Sequence, residues 1–172
     1  GLTNTITAVK NAQMAQSPVI LLGGATATIL KGKGSLQDID QMALLKPHVK
    51  WASTVKRLSM IEPVLDKAFQ IAHDGVPGPV FIEFPVDLLY PESVVRKLYG
   101  LSSENSGASL EHLYLNWHLN KLFRKSTPGI SLDGSPSLLF PRQDHIQNCE
   151  RMIQSAQRPV LLVSSQAMLS VS

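Results

Sequence analysis

The chain has 172 residues, 44% of them hydrophobic and 17% charged, the proportions of an ordinary globular domain able to bury one sizeable core. Sixteen basic against thirteen acidic residues leave a formal charge of +3, too small and too scattered to support nucleic acid or an anionic membrane as a partner. The single cysteine, Cys149, excludes an internal disulfide and a cysteine-based zinc set, and no run approaches the ~18 apolar residues of a membrane span.

Leu2, Ile6, Val9 and Ala12 form one apolar stripe, which predicts a helix with Thr3 as its N-cap. It should stop at "QSP", because a residue before proline avoids helical geometry. Val19 to Leu22 then reads as a strand covered on both faces and ended by Gly23 and Gly24. The following "ATATILKGKGS" reads as a mobile surface loop. A phosphate loop needs a glycine five positions before its Gly-Lys pair, and Ala27 occupies that place before Gly32 and Lys33.

"SLQDIDQMALLKP" predicts a short helix capped by Ser35, and "HVKWASTVK" a second strand. In "MIEPVLDKAFQIAHDGVPGPVFIEFP", Ile61, Val64, Leu65, Ala68 and Ile71 share one helix face, and a strand follows from Val80 to Phe84. Glu83 and Asp87 flank Pro85; they read first as a strand-end acid and a turn or cap aspartate, and only second as an acid/base pair.

Residues 91–141 break this rhythm, with Ser/Gly-rich "LSSENSGAS" and Pro/Gly-rich "TPGISLDGSPSLLFP" on either side of a helical "LEHLYLNWHLNKLFRK". That helix carries Leu110, Leu113, Tyr114 and Trp117 on one side and Leu115, Leu119, Leu122 and Phe123 around the rest, which predicts packing on its own domain or a sister subunit first, and on a membrane surface or foreign partner second. His112 and His118 fall on different sides of it, so they support no metal site. "QDHIQNCERMIQSAQRPVLLV" closes the chain with a helix and a strand from Val160 to Val163. Helices alternating with short buried strands give an α/β fold with a mostly parallel sheet.

The segments "GLTN", "LLGG", "LQDIDQ", "GVPGPVFIEFPVD" and "AQRPVLLV", in that order, resemble the thiamine-diphosphate-dependent family of acetohydroxyacid synthases, oxalyl-CoA decarboxylases and 2-hydroxyacyl-CoA lyases. "VKNAQMAQSP", "PVDLLYP", the helix with Trp117 and "LNKLF", and "SSQAML" make the similarity strongest to the lyases. The resemblance implies that residues 1–91 are the later half of a pyrimidine-binding domain. It makes 92–141 a linker with an inserted helix, and 142–172 the beginning of a Rossmann-like central domain. Gly1 would be the last glycine of a G-P-G-x-T-N motif, so the chain would begin inside that motif.

By the same resemblance the cofactor is thiamine diphosphate with magnesium, FAD is left open, and the activating glutamate belongs to a segment before Gly1. The diphosphate-binding G-D-G motif belongs to a third domain, and "LDGS" at 132–135 only imitates it. Two residues carry over as site residues: Asn4 as cofactor-binding and Gln37 as catalytic. Synthases have a lysine where Val86 stands, which counts against acetolactate synthesis.

The implied parent is a homo-oligomer that cleaves a 2-hydroxyacyl-CoA to an aldehyde and formyl-CoA in fatty-acid α-oxidation. It would sit at the endoplasmic reticulum membrane through a segment before Gly1, and the chain alone would be inactive. A noncatalytic association or nucleotide-binding module, or a synthase-type transferase fragment, remains the alternative.

Overall fold

A computed structural model describes residues 1–36, 38–101, 109–124, 141–164 and 167. Its centre is a parallel three-stranded sheet in the order β1 (Ile20–Ala25), β3 (Val80–Pro85), β2 (Trp51–Thr54), in which Val80 pairs with Ile20 on one side and Trp51 on the other. The expected α/β class and parallel sheet are therefore present.

β3 is the buried strand, and its alternation divides the core. Phe81 points to a cluster with Val9 and Leu45, supplied by α1 (Ile6–Met14) and α2 (Gln41–Leu45). Val80 and Ile82 point the other way, to a larger cluster. Here α3 (Ile61–His73) contributes Val64, Ala68 and Ala72, α4 (Glu92–Leu98) adds Val95, and α5 (Leu110–Leu122) adds Leu119 and Leu122. Helices thus cover both faces of the sheet.

Lys50 ties the two layers together. Its ammonium donates to the carbonyls of Ile71 (2.5 Å) and Asp74 (2.6 Å), capping the C-terminus of α3. Partial burial holds its pKa below the ordinary lysine value, opposed by the nearby Asp74.

Several boundaries depart from expectation. The first helix opens as a 3-10 turn (Leu2–Thr5), and Thr3 caps nothing; the Thr5 hydroxyl donates back to the Leu2 carbonyl at 2.6 Å. The helix ends at a left-handed Gln16 (φ 54°), after which the Ser17 N–H returns to the Ala12 carbonyl, so this turn acts before Pro18 does. Gly23 and Gly24 lie inside β1 rather than ending it. Gly23 is there because a Cβ would stand 2.7 Å from the buried Phe81 ring, a close approach that only glycine permits.

The helix expected from Ser35 starts at Gln41, because Asp40 is the residue whose carboxylate accepts the Ala43 N–H at 2.9 Å. No strand forms at Val160–Val163, which is exposed irregular chain, since no described strand pairs with it. The helix before it, α6 (Gln143–Ser155), buries no residue.

Within the expected linker, α5 docks only half of its apolar surface: Leu119, Leu122 and Phe123 are buried, whereas Leu110, Leu113, Tyr114 and Trp117 are exposed. Among the described residues, no helix is long and apolar enough to cross a membrane.

Gly23→Ala should cost about 1–3 kcal/mol of stability, because the Phe81 ring cannot retreat from a packed core. Gly24→Ala, whose Cβ would meet open space, is the control. Urea unfolding of both variants checks this; equal midpoints would refute the close-approach reading.

Candidate functional site

Three strands running the same way bring their C-terminal ends together, and two clefts open there on either side of β1. The first, about 820 Å³, lies between the opening turn of the chain and the loop before α2. Thr3 and Thr5 border it on one side, Gly23 and Gly24 form its wall, and Leu36, Ile39 and Gln41 stand opposite.

Gln41 is the polar group fixed in this wall. Capping by Asp40 places Gln41 at the first helical position, 6% exposed, and its Nε2 donates to the Gly24 carbonyl at 2.7 Å. Only an amide nitrogen can make that bond, so the other end is the oxygen. Oε1 is buried, has no hydrogen-bond partner, and lies 3.1 Å from the point where a Gly23 Cβ would be. A buried acceptor of this kind costs free energy until a donor meets it.

The second cleft, about 590 Å³, lies between the end of β2 and the C-terminal half of α5. Val55, Met60 and Leu122 give it an apolar floor, and Lys56, Arg57 and Lys121 give it cations. Behind it sit two buried carboxylates. Glu83 is 0% exposed, and its Oε2 takes the Lys31 ammonium at 2.7 Å and the Thr54 hydroxyl at 2.8 Å. Lys31 comes from the stretch expected to be a free surface loop; instead that stretch is tied down, since the Gly32 N–H also donates to Asp38 at 2.6 Å.

Asp87, 3% exposed, gathers the other side. Its Oδ2 accepts from the Thr28 N–H (2.9 Å), the Thr28 hydroxyl (2.5 Å) and the Tyr99 hydroxyl (3.2 Å). Desolvation, reinforced by Asp87, pushes the Tyr99 phenol far above its ordinary pKa, so it stays a donor.

His118 completes the chain, with Nε2 2.7 Å from the Thr28 hydroxyl oxygen. Thr28 has one hydroxyl proton and gives it to Asp87, so Nε2 must carry hydrogen and donate to Thr28. Burial lowers the His118 pKa, Asp87 opposes that, and Lys121 adds to it. The ring is then neutral near pH 7, with Nδ1 as its basic nitrogen.

The sequence-predicted site residues fall unevenly. Asn4 lies in the opening 3-10 turn, exposed, between the two threonines that border the first cleft. Gln37 and the "LDGS" turn lie outside the described residues. Gln41, Lys31 and Thr28 were missed, and His118 was weighed only as a metal ligand. The available signal was Glu83: a carboxylate inside a strand covered on both faces must find partners.

Residues 1–44 match the family described as "Thiamine pyrophosphate enzyme, N-terminal TPP binding domain". Over 172 residues, 98% of the chain, it is 47% identical to "2-hydroxyacyl-CoA lyase 2" of Caenorhabditis elegans, covering 27% of that protein. The protein of the same name from Homo sapiens is 41% identical over 175 residues, 99% of the chain and 27% of the relative. "Acetolactate synthase isozyme 3 large subunit" of Escherichia coli (strain K12) is 38% identical over 108 residues, 58% of the chain and 19% of the relative. The chain therefore spans little more than a quarter of the length of the lyases it matches.

Lowering the pH from 7 should lower the melting temperature in part through His118. Its folded pKa lies below the unfolded value of 6.5, so the unfolded chain takes up the proton first. The contribution is complete above 6.5 and is lost as the pH falls through the folded value. His118→Gln, which keeps a donor for Thr28, should remove that component; an unchanged pH slope would refute it.

Proposed function

We propose that this chain, similar along 98% of its length to a 2-hydroxyacyl-CoA lyase 2 and matching a thiamine pyrophosphate enzyme domain over residues 1–44, is part of a lyase that cleaves a 2-hydroxyacyl-CoA to an aldehyde and formyl-CoA. One observation carries the reading. Every described residue bordering the first cleft except Val86 belongs to the stretch 1–44 that matches the thiamine-pyrophosphate domain, and Gln41 has an unpartnered buried oxygen there.

The cleft fits the cofactor's pyrimidine end. Gly24, where a side chain would meet only open space, leaves room on this wall for a flat ring, and Gln41 Oε1 is the unpaired acceptor beside it for an exocyclic amine. When bound, thiamine diphosphate supplies the electron sink for carbon–carbon cleavage. The chain's own part is to hold and orient: Gln41 is fixed by its bond to Gly24, while Leu21, Leu22 and Ile39 offer apolar surface beside it.

Asn4 contributes a polar group to the cofactor side, and Gln37 serves the reacting end. Val86, apolar and on the cleft wall, favours the lyase over a synthase that uses lysine there. Magnesium held by the rest of the enzyme, a homo-oligomer, an endoplasmic reticulum location and a role in fatty-acid α-oxidation belong to the same reading.

The test uses the full-length polypeptide that contains this segment. With thiamine diphosphate and magnesium it should release formyl-CoA from a 2-hydroxyacyl-CoA, and no product under those conditions would refute the proposal. Gln41→Leu should weaken thiamine diphosphate binding about tenfold by calorimetry with the fold intact. Gln37→Ala should slow turnover without moving the melting temperature; unchanged turnover would remove Gln37 from the site.

A further inference from the structure

The second cleft is not accounted for by the cofactor, and its chemistry is different. Lys56 and Arg57 follow β2 directly, are exposed, and have no ion-pair partner among the described residues. Lys121 enters from α5 and lies 5.2 Å from the centre of the Trp117 ring. Among the described residues no carboxylate borders the cleft; of those behind it, Glu83 is committed to Lys31 and Asp87 to Thr28 and Tyr99. Three uncompensated cations around an apolar floor of about 590 Å³ form a site for an anion that also carries a flat or apolar group.

We propose that this cleft binds the adenine-nucleotide end of the coenzyme A thioester, with Lys56, Arg57 and Lys121 on its phosphates and Trp117 stacked against the base. This rests on the lyase reading, which requires a substrate with that anionic end. Arg57 matches a phosphate by its planar fork, and Lys56 and Lys121 act as point charges beside it. Trp117 borders the cleft and is 57% exposed, which leaves ring surface beyond its contacts with Lys121 and Tyr114 for a base to stack on.

Continuity with the first cleft supports the assignment. Ala25 and Thr26 border both, so a substrate anchored by its nucleotide in one extends past the end of β1 into the other. α5 would then serve the site by closing the nucleotide side with the face it does not bury.

Free coenzyme A titrated into the full-length polypeptide that contains this segment, followed by calorimetry and tryptophan fluorescence, tests the assignment. The expected result is saturable binding weakened about tenfold or more in the double variant K56A/R57A. It should be unchanged in K46A/K97A, which removes the same charge from exposed positions away from the cleft. Trp117→Leu should weaken coenzyme A more than inorganic diphosphate.

No saturable binding, or equal binding by wild type and K56A/R57A, overturns the proposal. So does thiamine diphosphate competing for the same cations at lower concentration than coenzyme A. The outcomes separate from those of the lyase reading. Coenzyme A bound in a full-length protein that releases no formyl-CoA from a 2-hydroxyacyl-CoA refutes the lyase and leaves the cleft. A working lyase whose KM is indifferent to K56A/R57A refutes the cleft alone.

Discussion

Two carboxylates leave the end of β3 into the interior, and everything around the strand ends is arranged to receive them. An ionisable oxygen at 0% or 3% exposure is tolerable only where donors converge on it. Glu83 draws in Lys31 and Thr54; Asp87 draws in Thr28 and Tyr99, and through Thr28 reaches His118. One strand end thereby fixes the loop after β1, the end of β2, and the positions of α4 and α5. Each oxygen left over, Glu83 Oε1 and Asp87 Oδ1, is a cost the fold carries at this point.

That arrangement explains why two clefts of unlike character lie so close together. On the α1 and α2 side the wall is backbone and glycine, with one amide oxygen facing inward. On the α5 side the buried acids neutralise Lys31 and leave the outer cations free. The residues between, Ala25 and Thr26, are small, so the end of β1 forms a low divide.

Helix α3 and the central strand β3 were the most legible in the sequence, because the apolar periodicity of the one is strong and the burial of the other nearly complete. Val64, Ala68, Val80 and Ile82 stand where the pattern puts them. Boundaries were not, since they depend on competition between local bonds: Asp40 outbid Ser35, and a left-handed Gln16 acted before Pro18. Gly23 could not be read as a strand residue without knowing that Phe81, 58 positions along the chain, would lie against it. The candidate site suffered most. Gln41 looks like any helix-starting polar residue, and the tie between Thr28, Asp87 and His118 joins three separate segments that no local pattern links.

The order of the sheet has a consequence for how the chain acquires its structure. Val80 meets Trp51 on one side and Ile20 on the other, so the β2–β3 pairing closes a loop about half as long as the β1–β3 pairing does. The shorter closure contains α3, whose Val64, Ala68 and Ala72 pack directly on the strands they connect. β2, α3 and β3 therefore form the unit with the smallest entropic barrier, and β1 with its helix α1 joins afterwards. The 820 Å³ cleft, bordered by β1, therefore depends on the longer of the two closures.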